Sequence, residues 1–219
     1  MNGLSLFTGS GIGELAFKQI IPDYKTVGYV EIDQYCRAII RARIRDGILD
    51  DAPVFDDIRE FNRRYASFYA GKVDWISGGF PCQPFSVAGR RAGEADERNM
   101  WPATRDAISI IRPRYALLEN VPGLLSSGYF GTVVGDLAEI GYDCEFDIIG
   151  ASDVGAPHRR KRIWILGYTK CDGCNGSQDS KSIGEGITEY AEGTNELGEF
   201  ERAVSLWEED VLAPMADTQ

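Results

Sequence analysis

The sequence predicts an α/β fold with a mainly parallel sheet, and three observations lead to this prediction. Up to about residue 168, short apolar runs alternate with amphipathic stretches of helical length. The first apolar run, LSLF, passes through closely spaced glycines into a helix pattern. The chain has 219 residues, 43% hydrophobic and 26% charged, which is enough apolar material for one well-buried domain.

Each predicted element follows from its own local pattern. Apolar runs bounded by turn residues predict the strands, and periodic apolar positions predict the helices, the last of which is closed by Gly141. The predicted strands are residues 3–7, 26–31, 73–77, 115–119, 142–150 and 163–168. The predicted helices are residues 12–20, 34–44, 100–111 and 132–140.

A change of composition after residue 168 predicts a boundary. The following residues are rich in Gly, Ser, Asn and Glu, with one short helix pattern before Pro214. We therefore expect a folded domain over residues 1–170, and an acidic linker or the start of a further region over residues 171–219.

The segments that would direct the chain to or through a membrane are not recognisable. No apolar run approaches the ~18 residues of a membrane span, and the N-terminus lacks the pattern of a secretory signal. We expect a cytoplasmic protein of a bacterial or phage-infected cell, with no membrane partner.

The net charge of −11 is unevenly distributed. Residues 172–219 hold 12 acids and 2 bases, whereas residues 1–171 hold 22 acids and 21 bases, a balance of −1. The first part can therefore present a basic face to a nucleic acid. Five scattered cysteines predict reduced thiols, and the pair Cys171 and Cys174 supplies only half of a zinc site, so we predict no metal.

The loop after the first strand has the features of a cofactor site. Gly9 and Gly11 let a ligand approach the backbone, and Glu31 ends the second strand twenty positions after Gly11, where an acid commonly accepts ribose hydroxyls. The spacing GSGIG differs from the dinucleotide pattern G-x-G-x-x-G, which favours an adenosine cofactor without a pyrophosphate. An ordinary tight turn is the alternative interpretation.

A second loop, GGFPCQPFSVAGRRAG, presents Cys82 after a predicted strand. Pro81 and Pro84 restrict the backbone on both sides of the cysteine. Arg90 and Arg91 can favour the thiolate or meet phosphates. A reactive thiol is the interpretation that the loop favours over a buried, inert cysteine.

Four segments, in this order, resemble the cytosine-C5 DNA methyltransferases: LFTGSGIGEL, GFPCQPFSVAG, ENVPGLL and APHRRKRIWILG. The resemblance covers residues 3–168. It implies a Rossmann-like S-adenosylmethionine-dependent methyltransferase fold with a mostly parallel sheet, incomplete at the C-terminus. It also implies methyl transfer to carbon 5 of cytosine in double-stranded DNA, through a covalent Cys82 adduct and base flipping.

The resemblance assigns roles to individual residues. Cys82 is the nucleophile, Glu119 holds a proton or hydrogen bond at cytosine N3, and Arg160 and Arg162, on one strand face, hold cytosine O2 and a phosphate. The implied cofactor contacts are Phe7, Thr8, Gly9, Ser10, Gly11, Ile12, Glu31, Ile32, Asp57, Ile58, Gly79, Pro81 and Trp101. The expected DNA contacts are Gln83, Ser86, Arg90, Arg91 and Arg98, in and beside a loop at residues 85–98 that closes over the base.

The target-recognition domain of the family is not visible in this sequence. A truncated gene, a deliberately shortened chain, or one half of a split enzyme completed by a second polypeptide would each explain this. Three alternatives to a DNA methyltransferase follow. They are a non-catalytic S-adenosylmethionine-binding subunit or remnant, a related RNA methyltransferase, and a nicotinamide oxidoreductase. The RNA methyltransferases tend to carry Pro-Pro-Cys where this chain has Phe80-Pro81-Cys82.

Overall fold

The computed structural model describes residues 1–81 and 99–169. The strands are β1 (Asn2–Leu6), β2 (Lys25–Val30), β3 (Val54–Phe55), β4 (Trp75–Gly78), β5 (Tyr115–Asn120), β6 (Tyr142–Gly150) and β7 (Lys161–Thr169). The helices are α1 (Ile12–Ile20), α2 (Gln34–Arg45), α3 (Ile58–Arg64), α4 (Ala66–Tyr69), α5 (Trp101–Ile111), α6 (Gly123–Ser126) and α7 (Tyr129–Glu139), with a 3-10 helix at Ala151–Val154.

The strands form one seven-stranded sheet in the order β3-β2-β1-β4-β5-β7-β6. The pairs among β1 to β5 are parallel, and β7 is antiparallel to both β5 and β6. The predicted α/β class with a mostly parallel sheet is therefore confirmed.

The centre of the sheet is covered on both faces, which explains the continuous apolar character of its strands. On one face, Leu4, Leu6 and Ile76 belong to the main core together with residues of α3 and α5. On the other face, Trp75 packs against Phe17 of α1. Alternating side chains of β1 and β4 thus anchor helices on both sides, so the carboxyl ends of these strands are firmly placed.

Two aspartates that follow strand ends cap the helices after them. The side chain of Asp33 accepts the backbone N–H of Cys36 at 2.8 Å, and that of Asp57 accepts the N–H of Arg59 at 2.7 Å. Such N-caps satisfy donors that have no partner inside the helix. Both caps follow the carboxyl end of a strand, so they also fix where the loops of the site end.

The six predicted strands and four predicted helices are all present, with ends displaced by at most three residues. The prediction missed β3, α3, α4, α6 and the 3-10 helix. These elements have two to seven residues, too few for a periodic pattern to emerge, and they are stabilised by packing such as that of Phe61 in the main core. Across the described ranges, no helix has the length and apolar character needed to span a bilayer.

Candidate active site

The site lies where the strand order reverses direction. From β1 the chain continues to β2 and β3 on one side, whereas β4 and β5 lie on the other side. In open parallel sheets, ligands bind in the crevice at the carboxyl ends of the strands at such a switch point. The loop after β1, the end of β2 and the turn after β4 all meet there.

The loop at residues 7–11 after β1, called here the glycine loop, has an unusual backbone. Gly9 and Gly11 have φ values of 59° and 80°, in the left-handed region that favours glycine, and Phe7 also has a positive φ of 54°. The N–H of Gly11 donates to the Thr8 carbonyl at 3.0 Å, and the Thr8 hydroxyl donates to the Ser5 carbonyl at 3.2 Å. The predicted cofactor loop is thus a tight, internally bonded turn.

Glu31 connects the glycine loop to the end of β2. Its Oε2 accepts the N–H of Gly9 at 2.6 Å, and its Oε1 accepts the N–H of Asp33 at 2.8 Å. The side chain is nearly buried, and the two bonds fix the plane of the carboxylate. Because each carboxylate oxygen has two lone pairs, Glu31 keeps acceptor capacity for ribose hydroxyls.

The groups at this edge fit an adenosine cofactor. Within the described residues, no heavy atom lies within 4 Å of the position that a Cβ on Gly9 would take, so the loop backbone is open to a ligand. Ile12 and Ile32 are 64% and 66% exposed beside it. Open backbone, an oriented carboxylate and exposed apolar side chains are the chemistry that a ribose and an adenine ring require.

Asp57 and Ile58 lie at the start of α3, after β3. The Asp57 side chain caps the helix, as described above, and remains half-buried, whereas Ile58 is buried in the main core. Ile58 is therefore a core residue, whereas the carboxylate of Asp57 is accessible to an adenine amino group.

The turn after β4 carries the residues that immediately precede Cys82. Phe80 is buried, and its carbonyl accepts Nδ2 of Asn120 at 3.0 Å. The Oδ1 of Asn120 accepts the N–H of Val121 at 2.8 Å, so this buried amide ties the end of β5 to the turn. Gly79 lies so close to β5 that a Cβ on it would be 2.9 Å from Oε2 of Glu119. The exposed Pro81 completes the described part of this loop.

Trp101 lies in the core rather than in the open part of the crevice. Its side chain is fully buried, its ring centroid is 5.3 Å from that of Phe80, and its Nε1 donates to Asp136 at 2.7 Å. A fully buried indole has no surface for a ligand. The structure therefore corrects the implied cofactor contact of Trp101 to a supporting role beneath the turn.

Glu119 and Arg162 form an ion pair at the crevice, with 2.5 Å between Oε1 and Nε. The two side chains are about a quarter exposed and come from the antiparallel strands β5 and β7, in which Glu119 lies opposite Trp164, two residues after Arg162. Arg160 precedes β7, which begins at Lys161, and is exposed. That Arg160 and Arg162 share one strand face stays a prediction, because Arg160 lies one residue before the start of β7.

A buried carboxyl lies beneath the crevice. Glu14 of α1 is 4% exposed, and its Oε1 accepts the Ser77 hydroxyl of β4 at 3.2 Å. Burial raises the pKa of the Glu14 carboxyl, against the opposing effect of side-chain hydrogen bonds from Ser5 and Ser77. The sequence pattern did not single out this residue, because an acid in the first turn of a helix is common.

Two arginines of α2 are further residues that the sequence analysis missed. Arg37 donates to the carbonyls of Glu31 at 2.9 Å and Ile32 at 2.6 Å, and Arg43 donates to the carbonyl of Ser10 at 2.5 Å. Arg43 lies three residues after the buried Ile40, and an arginine on the apolar face of a helix is the sequence signal that was available.

Several predicted residues lie outside the described residues: Cys82, Gln83, Ser86, Arg90, Arg91, Arg98, Cys171 and Cys174. The closing loop at residues 85–98 and the region at residues 171–219 are outside them as well. Within residues 1–81 and 99–169, no three His, Cys, Asp or Glu side chains cluster as a metal site requires.

The fold and the site define a class of protein, the Rossmann-like methyltransferases. A mostly parallel sheet with one antiparallel strand carries a glycine loop at its switch point, and a carboxylate–guanidinium pair lies beside Gly79 at the same edge. The chain matches the C-5 cytosine-specific DNA methylase family over residues 1–203, and it belongs to that family. Members of this family use S-adenosylmethionine as the methyl donor.

Individual relatives agree with this assignment. The orphan methyltransferase M.Rho11sI of Bacillus phage rho11s is 32% identical over 168 residues, covering 75% of this chain and 32% of the relative. The type II methyltransferase M.AplI of Arthrospira platensis is 32% identical over 167 residues, covering 75% of this chain and 45% of the relative. The chain thus spans less than half the length of these two curated relatives.

Solved structures show the same fold. A Spodoptera frugiperda DNMT2 mutant superposes with a TM-score of 0.64 at 20% identity, covering 82% of this chain and 53% of the other. A putative DNA modification methyltransferase encoded within an E. coli prophage superposes with a TM-score of 0.59 at 28% identity, covering 77% and 47%. The Rossmann-like methyltransferase fold implied by the sequence is confirmed.

Proposed function

We propose that this chain is the catalytic and cofactor-binding part of an enzyme that methylates carbon 5 of cytosine in double-stranded DNA. The observation that carries the proposal is the Glu119–Arg162 pair beside Gly79, three residues before Cys82 and at the same sheet edge as the glycine loop. A carboxyl group and the glycine loop thereby lie at the sheet edge from which the chain continues to Cys82.

The cofactor subsite would consist of the glycine loop, Glu31 and Asp57. Glu31 would accept the ribose hydroxyls and Asp57 the adenine amino group, while the left-handed glycines keep the loop backbone open. When bound, S-adenosylmethionine supplies the methyl group that cytosine carbon 5 accepts.

Cys82 would act on the base after it is flipped out of the duplex. Its thiolate adds to carbon 6, so that a carbon–sulfur bond forms and the electron pair of the C5–C6 double bond moves towards carbon 5 and the N3–O2 side of the ring. After methylation a base removes the proton from carbon 5, the double bond re-forms, and the thiolate leaves. This divides one difficult substitution into easier steps.

Glu119 and Arg162 would act on the polar edge of the cytosine. A protonated Glu119 donates a hydrogen bond to N3, and the Arg162 guanidinium donates to O2, so both groups stabilise the charge that enters the ring as sulfur adds. In the structure these two groups pair with each other, and the cytosine edge would replace this mutual contact. The exposed Arg160 would meet a phosphate of the DNA backbone.

The test is a covalent trap. Duplex DNA in which 5-fluorocytosine replaces cytosine is mixed with the protein and S-adenosylmethionine, and intact mass spectrometry detects a protein–DNA adduct. Since fluorine cannot leave as a cation, a reacting enzyme stops with sulfur attached to the base. We expect an adduct with the natural chain and with the control Cys36→Ala, and none with Cys82→Ala. An adduct of equal yield with Cys82→Ala would contradict the proposal.

The same experiment distinguishes the second candidate function, a non-catalytic S-adenosylmethionine-binding subunit or remnant that needs a partner. Cofactor binding without an adduct would favour it, and a second polypeptide carrying the target-recognition region would then restore the adduct. Absence of cofactor binding would contradict both functions.

A further inference from the structure

The side chain of Arg43 reaches from α2 to the glycine loop. Its Nη1 donates to the Ser10 carbonyl at 2.5 Å, across a sequence separation of 33 residues, and the residue is half-buried. A charged donor to a carbonyl oxygen makes one of the stronger hydrogen bonds in proteins. Arg43 thus holds the loop from outside its own sequence segment.

This bond completes the restraint of one peptide unit, that between Ser10 and Gly11. Its carbonyl accepts from Arg43, and its N–H donates to the Thr8 carbonyl at 3.0 Å. The unit adjoins Gly11 and follows Gly9 by one residue, and both glycines have left-handed backbones and tolerate many other conformations. Without the Arg43 bond, the carbonyl of this peptide would lose its partner next to a glycine, whose backbone is intrinsically free to change conformation.

The backbone of Arg43 supports the loop by a second route. Its carbonyl accepts the N–H groups of Ile48 at 2.9 Å and Leu49 at 3.1 Å, which fixes the turn after α2. The buried Leu49 packs against the loop so closely that a Cβ on Gly11 would lie 2.7 Å from its Cδ1. The side chain and the main chain of one residue therefore hold the same loop.

We propose that Arg43 is a positioning residue for the cofactor site, which keeps the glycine loop in its binding conformation before S-adenosylmethionine arrives. This inference rests on the cofactor binding in the proposed function. If the loop has its binding conformation in only a fraction of the molecules, the apparent affinity for the cofactor is the intrinsic affinity multiplied by that fraction. Arg43 keeps that fraction high without touching the cofactor.

The test is isothermal titration of S-adenosylmethionine into the natural chain, Arg43→Ala, Arg43→Lys and Arg41→Ala. Arg41 is an exposed arginine on the same helix, so its removal controls for the loss of one positive charge. We expect a Kd about tenfold higher for Arg43→Ala, a partial recovery for Arg43→Lys, and a Kd within twofold of the natural chain for Arg41→Ala.

The binding stoichiometry separates positioning from folding. Loss of folded protein lowers the number of sites at unchanged Kd, whereas loss of positioning raises Kd at an unchanged number of sites. A Kd for Arg43→Ala within twofold of the natural chain would overturn the inference, as would a tenfold rise for Arg41→Ala. If Arg43→Ala does not fold, Arg43→Gln takes its place, since its amide is too short to reach Ser10 as arginine does. No binding by the natural chain would overturn the cofactor function itself, and the inference with it.

Discussion

The two loops that meet at the crevice are held by different means. The glycine loop is bonded through its backbone, to the buried carboxylate of Glu31 and to Arg43. The turn before Cys82 is held by the side-chain amide of Asn120 and lies against Glu119, whose carboxylate pairs with a partly exposed arginine. The proposed cofactor subsite is therefore formed in advance, whereas the proposed catalytic subsite contains an ion pair that the cytosine edge would replace.

The largest effect is expected at the catalytic ion pair. Glu119→Ala removes the group that would donate to cytosine N3, and we expect methyl transfer from radiolabelled S-adenosylmethionine to duplex DNA to fall by about 10²–10⁴-fold. The Kd for the cofactor should remain within twofold, because the Glu119 side chain pairs with Arg162 and lies against Gly79, outside the glycine loop. A parallel loss of cofactor affinity would show that the two subsites are not independent.

A smaller effect is expected from Glu31. Glu31→Ala leaves the N–H groups of Gly9 and Asp33 without their acceptor and removes the proposed ribose contact, so we expect Kd for S-adenosylmethionine to rise by one to two orders of magnitude. Calorimetric binding measures this change. Glu31→Gln is the matched variant, and its affinity should lie between the other two because its amide retains one acceptor oxygen. Unchanged affinity in Glu31→Ala would contradict the assigned subsite.

Substitution of Asn120 tests the support of the turn before Cys82 without removing a group proposed to act on the base. Asn120→Ala removes the buried bonds to the Phe80 carbonyl and the Val121 N–H, and we expect a loss of about 1–3 kcal/mol in the free energy of unfolding. Urea unfolding measures it, with Asn120→Asp as a variant that keeps the acceptor and loses the donor. We expect the yield of the covalent adduct to fall by a larger factor than the affinity for S-adenosylmethionine. A larger loss of cofactor affinity would contradict the assignment of Asn120 to the turn before Cys82.

The smallest effect concerns the pH dependence of stability. Because burial raises the pKa of Glu14, the folded chain keeps a proton that the unfolded chain loses above about pH 4.5. The contribution of Glu14 to stability therefore decreases as the pH rises from that value towards its pKa in the folded state. Glu14→Gln does not titrate, so the thermal midpoint of this variant, relative to the natural chain, should increase over that range. A pH-independent difference would contradict a neutral, buried Glu14.

Local sequence predicted the location of a residue where that location depends on one short segment. The glycine loop, Glu31 and Glu119 were all predicted at strand ends, and the structure places them at the same edge of the sheet. Trp101 was misplaced because its segment does not reveal that the indole turns inward to Asp136.

The sequence by itself determined the α/β class, the order of the main elements, the family, and the residues whose chemistry depends on a strand end or a glycine turn. The tertiary structure alone decided which side chains hold these loops. The bonds of Arg43 to Ser10, Asn120 to Phe80 and Ser77 to Glu14 span 33, 40 and 63 residues. No local pattern encodes such contacts, because each depends on how separate helices and strands pack against one sheet.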